Sequence, residues 1–114
     1  MQDQRLSSRA LKLITDPENN IMFSVASLWE IAIKNALKRH DFRHDAGQMR
    51  AGLLANDYEE LDIVSRHIMT FKELSPSHRD PFDRLLLAQA LAEGVTLLTA
   101  DERLAAYDKS VLLV

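Results

Sequence analysis

Three acidic residues stand far apart in the sequence, each near a boundary between an apolar run and the segment beside it: Glu30, Asp83 and Asp101. Carboxylate oxygens are the ligands that Mg²⁺ and Mn²⁺ prefer, and carboxylates held close together repel one another unless a cation neutralises them. A metal ion held in this way can bind a phosphate oxygen, activate a water molecule and stabilise the charge that grows on a phosphodiester. If the three residues meet, they predict hydrolysis of a nucleic-acid backbone.

Whether they can meet depends on the elements that carry them. Apolar residues recur at helical spacing in some segments and form short continuous runs in others. This pattern predicts helices at 6–14, 27–38, 49–58, 67–74, 82–93 and 101–107, and strands at 21–25, 61–64, 95–99 and 111–114. Since the strands are continuously apolar and no tight hairpin separates them, we expect right-handed crossovers and an α/β fold with a parallel sheet between helices.

A parallel sheet of this kind brings the three carboxylates to one edge. Each strand ends, and each following helix begins, at the carboxyl edge of the sheet, where such folds bind ligands. Glu30 is predicted in the first turn of the helix after the first strand, and Asp101 directly after the strand 95–99. Asp83 is predicted in the first turn of the helix that leads into that strand. The same edge should therefore carry all three.

Each carboxylate also has a purely structural explanation. Glu30 is spaced from Ser27 as in a helix capping box, and Asp83 is the third residue after the predicted cap Asp80. Asp101 suits the start of a short helix because the helix dipole favours an acid there. Taken one at a time, these positions are explained by capping as well as by metal binding.

Composition narrows the function further. With 14 basic and 17 acidic residues the formal charge is -3, which argues against a plain DNA-binding module but not against a nuclease whose metal ions meet the phosphate. The absence of cysteine removes disulfides, thiolate zinc sites and cysteine nucleophiles, and it is compatible with a reducing cytoplasm. No signal peptide or membrane-spanning run is evident, and three glycines allow no phosphate-binding loop. We expect a single cytoplasmic domain.

Three segments carry a resemblance to a known family. Residues 27–34 (SLWEIAIK), 78–90 (HRDPFDRLLLAQA) and 98–101 (LTAD) are similar, in this order and spacing, to the successive signatures of PIN-domain proteins of the VapC toxin type. The resemblance extends over essentially the whole chain. It implies a Mg²⁺- or Mn²⁺-dependent endoribonuclease with a flavodoxin-like parallel sheet, the toxin of a type II toxin–antitoxin system. Such proteins are usually homodimers and are usually silenced by a partner antitoxin.

The resemblance also assigns roles to residues. Glu30 matches the glutamate on the helix, Asp83 the aspartate at the start of the long helix, and Asp101 the aspartate after the following strand; all three are implied as catalytic metal ligands. Thr99 is implied as a hydrogen-bonding residue near the metal. Asp80 is assigned first to capping and second to the outer metal shell.

Basic and aromatic residues near the edge are a further prediction. Lys34, Arg79 and Arg84 could contact RNA phosphates, although solvated surface charges of this kind are common. Arg84 is the first of these to test, because it lies next to Asp83. Trp29 suits packing in the core or in a subunit interface better than base stacking.

The departure from the family lies at the N-terminus. Family members begin with an apolar strand that ends in an aspartate and leads into a helix like residues 5–10, whereas this sequence begins at that helix. Asp3 follows no strand and is not equated with the missing aspartate. We therefore expect residues 1–114 to form one PIN-like domain without its first, central strand. An inactive PIN remnant that still dimerises or binds an antitoxin is the main alternative. A receiver-like domain is disfavoured because no acceptor aspartate follows the strand 61–64.

Overall fold

Helices and very short strands alternate along the chain. The structure is a computed structural model that describes residues 7–37, 45–75, 80–99 and 102–113. Within these ranges the helices are α1 (Ser8–Thr15), α2 (Val25–Ala36), α3 (Ala46–Ala55), α4 (Ser65–Glu73), α5 (Pro81–Glu93) and α6 (Glu102–Ala105), and the strands are β1 (Met22–Ser24), β2 (Glu59–Leu61), β3 (Leu97–Thr99) and β4 (Val111–Leu113). None of the helices in these ranges has the length and apolar character needed to span a membrane.

The boundaries of α5 agree with the sequence prediction. The Asp80 side chain accepts a hydrogen bond from the backbone N–H of Phe82 at 2.9 Å, and Pro81 occupies the first helical position, where its missing N–H costs no hydrogen bond. Gly94 ends the helix with a φ of 69°, a left-handed conformation that glycine adopts without a steric penalty. Local chemistry is enough to define both ends of this helix.

The start of α2 differs from the prediction. The helix begins at Val25, because the hydroxyl of Ser24 accepts the backbone N–H of Ala26 at 2.9 Å and so acts as the N-cap. The capping box predicted between Ser27 and Glu30 is therefore wrong. Glu30 lies in the second turn of α2 and not in the first.

The strands form two parallel pairs. β1 pairs with β2, with Met22 opposite Glu59, and β3 pairs with β4, with Leu97 opposite Val111. The predicted parallel direction is confirmed. β2 lies earlier than the predicted strand at 61–64 and includes two glutamates, because its register is set by pairing with β1 rather than by its own apolar residues. In the described part of the chain the two pairs are separate two-stranded sheets.

The core lies around α5. Leu87 is completely buried and packs with Leu104 of α6 and Val111 of β4. α5 also packs along α4, and most of its central residues are buried, as expected for a helix that is apolar on most faces. This burial holds α5 firmly and so determines where its first turn, which carries Asp83, can lie.

A groove of about 630 Å³ adjoins both strand pairs. Its lining includes residues of β1 and of β3, together with Leu13 of α1 and Leu86 of α5. Apart from Ser24, the residues of β1 and β3 are only partly buried, although the sequence predicts buried strands. The groove explains this difference, since it leaves one side of each strand uncovered.

Candidate functional site

The first part of α2 and the start of α5 lie side by side. The ring of Trp29 packs edge-on against Phe82, with ring centroids 5.0 Å apart and an interplanar angle of 74°. Glu30 and Asp83 are the next residues after these two aromatic residues in α2 and α5. The contact therefore brings together the two helices that carry the first two predicted ligands. Trp29 is 53% exposed, so it is not a core residue.

Asp83 and Asp80 have different roles at the start of α5. The Asp80 carboxylate faces the first turn, where it accepts the backbone N–H of Phe82 at 2.9 Å and that of Asp83 at 3.4 Å. This agrees with the assignment of Asp80 to capping first. Asp83 lies in the first turn of α5, as predicted, and is partly buried.

Glu30 is paired with a cation on its own helix. Its carboxylate lies 3.4 Å from the Nζ of Lys34, one turn later on α2, and the side chains of both are partly exposed. An exposed pair at this spacing contributes little to stability, so Glu30 can exchange Lys34 for another cation at small cost. Lys34, predicted to contact RNA, is thus found beside a predicted metal ligand.

The third carboxylate and one basic residue of the predicted site, Asp101 and Arg79, lie outside the described residues. Thr99 is the last residue of β3, partly buried and opposite Leu113 in the register. The described ranges contain no group of three histidine or acidic side chains close enough to hold a metal ion. The oxygen donors of Glu30 and Asp83 suit Mg²⁺ or Mn²⁺ in kind. These two alone do not make a complete ligand set.

Arg84 points towards α4. Its guanidinium group lies 4.4 Å from the centre of the Phe71 ring and donates a hydrogen bond to the carbonyl oxygen of Leu74 at 3.4 Å. A guanidinium over an aromatic face is stabilised by the charge distribution of the ring. The predicted RNA contact of Arg84 therefore competes with contacts inside the domain, and it remains a prediction.

The sequence analysis missed a buried polar cluster behind this edge. Ser24, His67 and Gln89 are the three buried polar residues of the described chain, and hydrogen bonds join them. The available signal was Gln89, a polar residue inside the apolar run LLLAQALA. A buried amide on such a face needs partners, so its position alone indicates a polar contact in the core.

The cluster ends at the carboxylate of Glu93. His67 donates from Nε2 to Glu93 at 2.8 Å, and Arg66 forms an ion pair with the same carboxylate oxygen. The hydrogen bond from His67, and after it the one from Arg66, lowers the pKa of Glu93 below its ordinary range, because both favour the ionised form.

Comparison with known proteins gives one match. A family model described as PIN domain matches residues 1–110. No curated protein and no solved structure was found to match the chain.

Proposed function

The chain belongs to the PIN-domain family, and from this membership and the packing of α2 on the start of α5 we propose that it is a Mg²⁺- or Mn²⁺-dependent endoribonuclease. PIN domains are generally nucleases, often act in toxin–antitoxin systems and typically use divalent metal ions. The observation that best supports the proposal is the packing of Trp29 on Phe82, which brings α2 and α5 together where they carry Glu30 and Asp83. In this proposal the protein is the VapC-type toxin of a type II system and is cytoplasmic.

Each residue of the predicted site would have its own role in this reaction. Glu30, Asp83 and Asp101 would hold the metal, with Asp80 and Thr99 around it. The bound metal would supply a Lewis acid for the phosphate and an activated water. Lys34 pairs with Glu30 at 3.4 Å, so its ammonium group lies beside a proposed metal ligand, where it would contact an RNA phosphate.

The test is neutralisation of the two described carboxylates without a change of shape. We expect Glu30→Gln and Asp83→Asn, made in a chain that carries an apolar strand ending in aspartate ahead of α1, each to abolish metal-dependent RNA cleavage and to weaken Mn²⁺ binding, while costing at most about 2 kcal/mol of stability, the loss typical of a helix cap. Glu73→Gln on α4, an exposed glutamate beside Lys72, is the matched control. Unchanged cleavage in the Glu30→Gln, Asp83→Asn double variant would overturn the proposed metal site.

We propose in addition that the active protein contains a central strand in the groove. Within the described residues β1 and β3 each have a partner strand on one edge only, and the groove adjoins both.

The position of α1 supports a strand that precedes it. Arg9 in the first turn of α1 donates to the carbonyl oxygen of Leu113 at 3.3 Å, so α1 begins near the carboxyl end of β4. A parallel strand that leads into α1 would end at this same edge. The strand order would become β2, β1, new strand, β3, β4, with the direction of winding reversing at the new strand, where open α/β sheets bind ligands. An aspartate at the end of that strand would complete the ligand set.

The proposed partners follow from the charge of the edge. An antitoxin that inhibits the enzyme should cover the acidic edge and insert a basic side chain, because an arginine fork pairs well with clustered carboxylates. A homodimer would use an apolar surface, and α2 offers Trp29, Ile33 and Leu37 at successive turns, all exposed. A complex with the antitoxin bound at the opposite edge would contradict the first of these proposals.

The second candidate function is an inactive module that binds an antitoxin or another copy of itself. It is favoured by the exposed apolar residues Trp29, Ile33 and Leu37, which suit contact with a second protein. Titration with Mn²⁺ combined with an RNA cleavage assay separates the two. Metal binding with cleavage identifies the nuclease, and partner binding without either identifies the module.

A further inference from the structure

A single amide links the cap of α2 to the packing of α4 and α5. Gln89 is 1% exposed and lies on α5, six residues after Asp83. Its Oε1 accepts a short hydrogen bond from the hydroxyl of Ser24. Its Nε2 lies 3.3 Å from the carbonyl oxygen of Asp62 and 3.3 Å from Nδ1 of His67. The carbonyl group and both N–H groups of the amide are therefore used, and the Asp62 carbonyl, which can only accept, fixes which way the amide points.

The neighbouring histidine is held in one tautomer. Nδ1 of His67 accepts the backbone N–H of Val64 at 3.2 Å, so it carries no proton. The proton is on Nε2, which donates to Glu93 at 2.8 Å. His67 is fully buried, and the atom that it presents to the Gln89 amide is the acceptor Nδ1. The cluster is thus a directional chain from Ser24 through Gln89 and His67 to Glu93, and no apolar side chain could replace Gln89 without leaving partners unsatisfied.

We propose that Gln89 is a positioning residue that sets how α2 lies on α5, and through this the separation of Glu30 and Asp83. The inference rests on the proposed function, in which these two carboxylates hold the metal. Ser24 lies six residues before Glu30, and Gln89 lies six residues after Asp83, so each bonded residue is about 9 Å along its helix from the carboxylate that it positions.

Two side-chain contacts therefore join α2 and α5 on this side. One is the Ser24–Gln89 hydrogen bond at the start of α2, and the other is the Trp29–Phe82 ring contact next to the carboxylates. The ring contact alone permits sliding, because apolar contacts have little directional preference. The buried hydrogen bond removes this freedom, since it is satisfied in only one arrangement. Metal ligands on two different helices need that precision.

The test replaces the amide by an apolar side chain of similar length, Gln89→Met, in the full chain extended by the apolar strand of the proposed function. Trp29 is the only tryptophan, and it lies at the second contact, so its fluorescence reports the position of α2 on α5. We expect quenching of Trp29 by acrylamide to increase, Mn²⁺ affinity to fall about tenfold or more, and kcat to fall with little change in KM, as for residues that hold the ligands of a metal ion in position. Gln48→Met, on the exposed face of α3, is the matched control and should change none of these.

The outcomes are separable. A Gln89→Met protein that melts cooperatively, with Trp29 quenching and Mn²⁺ affinity unchanged while Glu30→Gln loses the metal, overturns this inference alone. Mn²⁺ affinity unchanged in both variants overturns the proposed metal site and this inference with it. If Gln89→Met does not fold, Ser24→Ala and Ser24→Thr decide the matter. Threonine keeps the hydroxyl and should keep the metal affinity, whereas equal affinity in the two variants contradicts the proposal.

Discussion

The two sides of α5 differ in how completely they are covered. On the α4 side, the Gln89 amide bonds to Ser24, to the Asp62 carbonyl and to His67, and His67 is fully buried. On the other side, the groove of about 630 Å³ borders Leu86 and leaves β1 and β3 only partly buried. The packing of α5 is thus complete on the side of α4 and incomplete on the side of the groove.

The difference shows which contacts this chain can complete by itself. Helices α4 and α5 are close in sequence, so their contact has a low loop-closure cost. The proposed central strand would pair with the second edges of β1 and β3, where backbone N–H and C=O groups buried without partners would cost free energy comparable to a lost hydrogen bond. The α4–α5 unit should therefore be the stable part of residues 1–114 and the groove the weak part.

The largest expected effect comes from filling the groove. We predict that an apolar strand of about five residues ending in aspartate, joined ahead of residue 1, raises the free energy of unfolding by roughly 5 kcal/mol, since several side chains gain about 1.5 to 3 kcal/mol each on burial. This is comparable with the whole net stability of a small domain. Without it, the 114 residues should be aggregation-prone and inactive. Denaturant unfolding and an RNA cleavage assay with Mg²⁺ measure the two effects.

A matched extension separates strand pairing from mere lengthening. The same number of residues with serine and asparagine in place of the apolar ones should give neither the stability nor the cleavage. An apolar extension ending in asparagine should restore stability without activity. Residues 1–114 that melt cooperatively and cleave RNA with Mg²⁺ would show that neither the strand nor its aspartate is needed.

The second prediction compares two adjacent leucines of α5, the buried Leu87 and Leu86 beside the groove. Leu87→Ala should cost about 2 to 5 kcal/mol, because Leu87 is fully buried and its removal leaves a cavity. Leu86→Ala should cost less than half as much, since Leu86 already borders the groove. In the strand-extended protein the cost of Leu86→Ala should rise towards that of Leu87→Ala. Equal costs in the 114-residue chain would contradict the view that the groove side is unfinished.

Local chemistry made the ends of α5 predictable from sequence, whereas long-range contacts did not leave such a signal. Asp80 and Gly94 act within a few residues of themselves, and both were assigned correctly. The start of α2 was misplaced because both Ser24 and Ser27 can cap a helix. The choice between them depends on where β1 stops pairing with β2 and on the bond from Ser24 to Gln89, 65 residues away.

The candidate site was predicted only as a set of residue types at one edge. Resemblance supplied Glu30 and Asp83, and the structure adds what joins their helices, the Trp29–Phe82 contact. The cluster around Gln89 and His67 could not be predicted, because it requires two helices to pack with a register that no local pattern encodes. Asp101 stays a prediction, since it lies outside the described residues.

A smaller effect on stability is expected at the start of α5, in the α4–α5 unit. Asp80→Ala should lower stability by about 1 kcal/mol, because it removes the acceptor for the N–H groups of Phe82 and Asp83. Asp80→Asn keeps a capping oxygen and should lose only a few tenths of that. If both variants bound Mn²⁺ more weakly by a similar large factor, Asp80 would belong to the metal site rather than to the cap. Thermal unfolding and Mn²⁺ titration distinguish the two.

The smallest expected effect is a pH dependence that originates at Glu93. His67, and after it Arg66, holds the pKa of Glu93 below its ordinary range in the folded protein. Since the unfolded chain binds the proton more readily, the stabilisation is present above the ordinary glutamate pKa and is lost as pH falls through the lowered folded value. The carboxylate is exposed enough for solvent to screen the effect, so it should be modest. We expect the stability of Glu93→Gln to fall less steeply than that of the parent between about pH 5 and pH 3. Arg66→Gln, which removes the second cause and keeps the first, should lie between the two curves. The free energy of unfolding is measured in urea at each pH. If it fell equally steeply with falling pH in the parent and in Glu93→Gln, the charge of Glu93 would contribute nothing to stability.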